Sequence, residues 1–262
     1  MKKISLTFFL ISIAFICLNS ARADLIDEIQ VYDGEINKPG EIGLEFHLNT
    51  TPNGQSQQRF DQERLTDRGF RITPELSYGL TDTIELGLYI PTIYSTQYGY
   101  ELAGYKPRIK WIPIQASDSQ PWSAGINVEY AKLKTGMSES AKGSEIRFIL
   151  GYEGQNWRLA VNPILEKNFS PRTENTPELK TNFRAIYKQD GLLKGVGLEY
   201  YLSLGPYNNF RPQSEQAKQL FLVSEWEPNK GPLKDWDIHL AAGSGWDGAD
   251  RFTIKMIVAP KL

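Results

Sequence analysis

The sequence predicts an all-β fold, a single antiparallel up-and-down transmembrane β-barrel of twelve strands over residues 40–262. Three observations point there: period-two alternation that recurs along the chain, connections that alternate between short and long, and tryptophans gathered at one end of the strands. The stretch from Phe70 to Pro91 shows the repeating unit. Phe70, Ile72, Leu76 and Tyr78 alternate with Arg71, Thr73, Glu75 and Ser77. After Gly79-Leu80-Thr81-Asp82, Ile84, Leu86, Leu88 and Ile90 alternate with Glu85, Gly87 and Tyr89. Each run has one apolar and one polar face, and Gly79 and Asp82 bracket a tight reversal, so the pair reads as a hairpin.

The chain opens with Lys2 and Lys3, an apolar run from Leu6 to Leu18 and the triplet Ala21-Arg22-Ala23. This is the pattern of a cleaved secretory signal over residues 1–23, and the run is short for a helix crossing a bilayer. The one cysteine, Cys17, falls inside it, so the mature chain has no disulfide or thiol chemistry. Losing Lys2, Lys3 and Arg22 takes the formal net charge from −2 to −5, which makes nucleic acid an unexpected partner. Asp24 to Pro39 precedes the first clean alternation and reads as a periplasmic N-terminal arm, a short helix or an extended segment that reaches towards the barrel mouth.

Strands are then expected at Glu41 to Thr50, Gly69 to Tyr78, Thr83 to Tyr94, Ala103 to Ile114, Trp122 to Lys132 and Ser144 to Tyr152. The second six are Trp157 to Lys167, Pro177 to Lys188, Gly195 to Leu204, Gln219 to Glu227, Trp236 to Gly243 and Arg251 to Leu262. An even count with both ends on one side puts short turns towards the periplasm and long loops outward. Tyr78, Trp111, Trp122, Tyr152, Trp157, Tyr187, Trp226 and Trp236 fall at the short-turn end, where amphipathic rings would form a belt at the membrane interface. Tyr94, Tyr105, Tyr130, Phe169, Phe210 and Trp246 are candidates for the opposite belt. Period two alone does not separate inside from outside, so a soluble barrel with an apolar interior is the alternative. The last strand favours the membrane: Phe252, Ile254, Met256 and Val258 alternate almost to the C-terminus, although Leu262 stands where such strands usually end in an aromatic residue.

The segments TPELSYGLTDTIELGLYIP at 73–91 and EIQVYDGEINKPGEIGLEFHLN at 28–49, with the strand-turn-strand layout, resemble a group of Gram-negative outer-membrane barrels of the meta-pathway phenol-degradation type. The resemblance implies passage of small, often aromatic compounds and supplies no catalytic residues.

Setting the apolar residues outward encloses a charged set. On the fourth to eighth strands it comprises Lys106, Arg108, Lys110, Arg147, Arg158, Lys180, Arg184 and Lys188 with Glu129, Glu145, Glu166 and Glu178. On the others it comprises Glu41, Glu45, Glu75, Glu85, Glu199 and Asp237 with Arg71, Arg251 and Lys255. These are either a basic wall facing an acidic wall, a field that would orient solutes, or pairs that neutralise one another across a narrow lumen. His47 and His239 share the polar face, two strands apart. A hydrolase dyad or a metal site is thinkable for them, but ligand spacing is missing and both point away from lipid. The letters of Gly243 to Gly248 match a dinucleotide motif without its following helix and read as a loop.

The expected role is passive passage of small solutes through a charged lumen. A lipid-modifying hydrolase and a closed structural or adhesive barrel are the alternatives. The expected partners are outer-membrane lipid, the barrel-assembly machinery and a small-molecule solute. No metal and no cofactor are expected.

Overall fold

The computed structural model describes residues 28–95, 97–169 and 176–261. The expected signal segment and the first four residues of the arm lie outside them. Fourteen strand segments follow in order: β1 Ile42–Asn53, β2 Gly69–Gly79, β3 Ile84–Tyr89, β4 Thr92–Ser95, β5 Gly99–Leu102, β6 Gly104–Ile114 and β7 Trp122–Leu133. The rest are β8 Lys142–Glu153, β9 Trp157–Asn168, β10 Glu178–Lys188, β11 Leu193–Pro206, β12 Lys218–Trp226, β13 Trp236–Trp246 and β14 Phe252–Pro260. Each pairs antiparallel with its neighbours. β1 pairs with β2 on one side and β14 on the other, and this seam closes the sheet into a barrel.

The fourteen segments make twelve spans. β3 and β4 both lie against β2 and are one span interrupted at Ile90-Pro91, while β5 and β6 are one span interrupted at Ala103. Pro91 has no N–H to give the ladder. The gap is bridged by the Ile90 N–H donating to the Pro74 carbonyl (3.0 Å) and the Ala103 N–H donating to the Pro91 carbonyl (2.8 Å). Here the expected third strand is split and the fourth gains Gly99–Leu102. The glycine-rich stretch expected as a loop also differs, because Gly243 to Trp246 complete β13.

Alternation sorts the side chains as membrane burial demands. Leu76, Leu86, Ile109, Val128, Leu150, Leu198, Leu222 and Ile254 stand exposed on the outer surface, while Arg71, Glu75, Arg108, Glu199 and Lys255 are buried inside. Ringed by water, such an outer face would forfeit roughly 25 cal/mol for every Å² of apolar surface left uncovered. All eight rings of the expected belt lie at the end that carries the short turns, the start of β1 and the end of β14, where Trp122 packs on Tyr152 (4.8 Å between centroids) and Trp157 on Tyr187 (5.2 Å). No helix among the described residues is long and apolar enough to cross a membrane. The only helical piece among them is a 3₁₀ turn at Gln213–Glu215.

Leu222 lies midway along β12 and is 68% exposed on the outer face. Leu222→Arg is expected to cost about 2–4 kcal/mol of folding stability in phospholipid vesicles, read by denaturant titration. A change within about 0.5 kcal/mol would mean that this face meets water.

Candidate functional site

The interior is occupied by the chain's own N-terminal arm. At Gly40 (φ +83°) the backbone turns into β1, and the Gly40 N–H donates to the Gly79 carbonyl (2.8 Å) at the short-turn mouth. Towards the N-terminus the arm runs inward in extended form, without a helix. A main chain enclosed in the lumen needs partners for its N–H and C=O groups wherever it is withdrawn from water. Lumen side chains supply them. Asn37 donates from its backbone N–H to Glu85 (2.8 Å) and from its side chain to Ser77 (2.7 Å). Asn162 on β9 accepts from the Tyr32 N–H (2.7 Å) and donates to the Tyr32 carbonyl (2.9 Å), as a neighbouring strand would. The carbonyls of Asp33, Gln30 and Ile29 accept from Ser123 (2.9 Å), Arg147 (3.0 Å) and Lys255 (2.9 Å). The approach is close enough that a Cβ at Gly151 would lie 2.3 Å from the Asp33 carbonyl oxygen.

Apolar contacts complete the docking. Ile29 packs with Ile186, Phe221, Val223 and Ala241, and Tyr32 packs with Ile112 and Ile149. The Tyr32 hydroxyl shares a 2.5 Å hydrogen bond with that of Tyr89, and the Arg147 guanidinium lies 4.4 Å from the Tyr32 ring centre.

The enclosed charges are paired. Arg108 holds Glu75 (2.8 Å through Nε) and Glu85 (2.7 Å), Lys110 joins Glu85 (2.9 Å), and His47 reaches Glu75 (3.2 Å). Around the barrel, Arg184 binds Asp33 of the arm (2.9 Å) and Glu225, while Lys255 binds Glu199. Arg158 bridges Glu225 (3.1 Å) and Glu153 (3.0 Å), and Lys188 also meets Glu153. Nearer the long-loop end are Lys106 with Glu129 (3.2 Å), Arg147 with Glu145 (2.8 Å), Lys180 with Glu166, and Glu178 with Arg211.

Three expected interior residues are corrected. Glu41 is exposed just ahead of β1 and Arg251 just ahead of β14, beyond the wall. Asp237 shares the face of His239 but stands 59% exposed at the rim, 3.7 Å from Lys261. Arg71 is fully buried in the wall and Glu45 is half-buried. The sequence reading missed Glu28, Tyr32 and Asp33 on the arm, together with Asn162, Glu153 and Glu225, and it set Tyr89 on the polar face without assigning it to the interior set. It also missed the apolar inward patch of Ile149, Ile186, Phe221 and Val223, which the phase of these residues with Arg147, Arg184 and Glu225 marks.

Both histidines flank Ile257 in register. His239 lies 3.4 Å from Glu199 and 3.8 Å from Glu225. Glu45, His47 and Glu75 bring one ligand atom each within 4.8 Å of one another, but Arg108 already neutralises Glu75. Beyond Glu28 and Ile29, towards the long loops, the lumen opens into a cavity of about 220 Å³.

No protein-family profile matches the sequence, and no curated protein matches it. The fold is similar to that of solved outer-membrane proteins. An outer membrane channel from Pseudomonas putida F1 superposes with a TM-score of 0.59 at 11% identity, covering 89% of this chain and 99% of that one. The NanC porin superposes with a TM-score of 0.55 at 9% identity, covering 85% and 100%. The chain therefore has the barrel architecture found in outer-membrane channels.

Asn162→Leu leaves the Tyr32 N–H and carbonyl unpaired in the lumen. It is expected to weaken docking of the arm by about 2 kcal/mol, roughly a thirtyfold rise in its undocked population. Cleavage of the arm by protease in the folded barrel measures this; unchanged protection would show that the two hydrogen bonds do not hold it.

Proposed function

We propose that this chain is an outer-membrane channel for small solutes, exported by its N-terminal signal segment and closed in this conformation by its own arm. The docked arm carries the reading. It enters the lumen on hydrogen bonds, ion pairs and small apolar contacts, and its cationic partners Arg147, Arg184 and Lys255 keep wall carboxylates of their own when it leaves. The apolar outer face and the channel architecture shared with two solved proteins support it. The sequence resemblance to barrels of the meta-pathway phenol-degradation type suggests small, often aromatic solutes. The enclosed charges would set selectivity among them, and the outer belt would fix the barrel's height in the membrane.

Planar-bilayer recording tests this. Asn162→Leu is expected to conduct more than the unaltered protein. Asn37→Cys with Ser77→Cys, which replaces two side chains already in contact, is expected to be silent when oxidised and to recover on reduction. Folded protein that passes no current in any of these states would remove the channel reading.

The arm also predicts a pH dependence. Asp33 beside it pushes the Glu35 carboxyl, whose side chain is exposed to solvent, from 4.5 up to about 7, against the pull of Arg158, Arg184 and Lys110. The docked arm thus keeps a proton that a free arm would release. Docking is fully favoured below the free value and weakens as pH rises through about 7. Current is expected to grow between about pH 5 and about pH 8 and to lose that dependence in Glu35→Gln; a flat profile in the unaltered protein would exclude Glu35 from closure.

A further inference from the structure

Glu28, the first described residue of the arm, places a carboxylate on cationic groups. Glu28 accepts from Lys106 Nζ (3.2 Å) and from the Tyr32 hydroxyl (3.2 Å), with the Arg147 guanidinium close by, and it forms the floor of the 220 Å³ cavity together with Ile29. Three cations of the cavity wall, Lys106, Arg147 and Lys180, already have wall carboxylates of their own. Among the described residues Glu28 is the fourth carboxylate facing the space, against three cations that each have a wall carboxylate. On the opposite wall, five and six spans around the barrel from Lys106, Ser203 Oγ and Gln219 Nε2 are buried at the cavity without a hydrogen-bond partner among the described residues. Between the two ends the lining includes apolar Ile29 and Ile164.

From this geometry we infer that the cavity is a binding site for a small carboxylate solute with a hydroxyl or carbonyl at its far end, whose carboxylate replaces that of Glu28 on Lys106. Glu28 is the site's built-in competitor. A solute that takes its place frees the Glu28 end of the docked segment, so occupancy of the cavity and release of the arm are coupled. The inference deepens the channel reading and rests on it for the release step.

The test is calorimetric titration of the folded full-length mature barrel with 6-hydroxyhexanoate, its uncharged amide, and hexanoate. The hydroxy acid is expected to bind, the amide and hexanoate at least about tenfold more weakly. Glu28→Gln should tighten binding of the hydroxy acid about tenfold. Lys106→Gln should abolish it, whereas Lys106→Arg, which keeps the charge and guards against a folding defect, should retain it. Equal binding of acid and amide, or an affinity untouched by Glu28→Gln, overturns the site. Bilayer recording of Asn162→Leu without solute separates the two proposals. Current with a flat titration removes the site alone; silence removes the channel and with it the release step.

Discussion

Charge neutrality inside a wall whose outer face is apolar is the constraint on which this structure depends. An ion carried into a low-dielectric interior loses several kcal/mol of hydration, and only a close partner with further hydrogen bonds offsets that loss. The barrel answers by pairing its enclosed cations and carboxylates across neighbouring strands. Arg108 spans Glu75 and Glu85, and Arg184 spans Glu225 and the arm's Asp33. The same arithmetic explains the arm. Its main chain can lie inside the lumen because Asn162, Ser123, Arg147 and Lys255 serve its polar groups.

Much of this architecture was legible in the chain. Period two distinguishes the outer row of Leu76, Leu86 and Leu222 from the inner row of Glu75, Glu85 and Arg108, and the tryptophans mark one rim. The break at Pro91 was visible as a proline but not as an interruption, because the alternation of Ile90 and Tyr94 continues across it. The rim positions of Glu41, Asp237 and Arg251 escaped notice because alternation reports the face a side chain shares and is silent on its depth. The arm was hardest to place. Nothing in residues 28–39 alone says where they dock; the signal lay in the wall, in apolar Ile149, Ile186, Phe221 and Val223 sitting on the charged phase of their strands.

Two interior environments result. Near the short turns, the arm, aromatic rings and ion pairs leave the lumen occupied; towards the long loops, it widens into a polar-rimmed space. The loop after β1 ties itself over that side, with Arg64 on Glu101 (2.8 Å) and Gln55 hydrogen-bonded to Asp250 (3.1 Å) and to the carbonyls of Gly248 and Ala249. A molecule entering from the loops would meet the cavity before it meets the arm.

Lys255 belongs to β14, the last strand, and it holds the carbonyl of Ile29, near the beginning of the arm. The arm and the last strand thus meet inside the lumen, alongside the β1 to β14 seam. During biogenesis the leading segment would find its full set of contacts only once the trailing strand is in position. Seating of the arm would then report that the cylinder is finished, and an incomplete barrel would leave its own stopper loose.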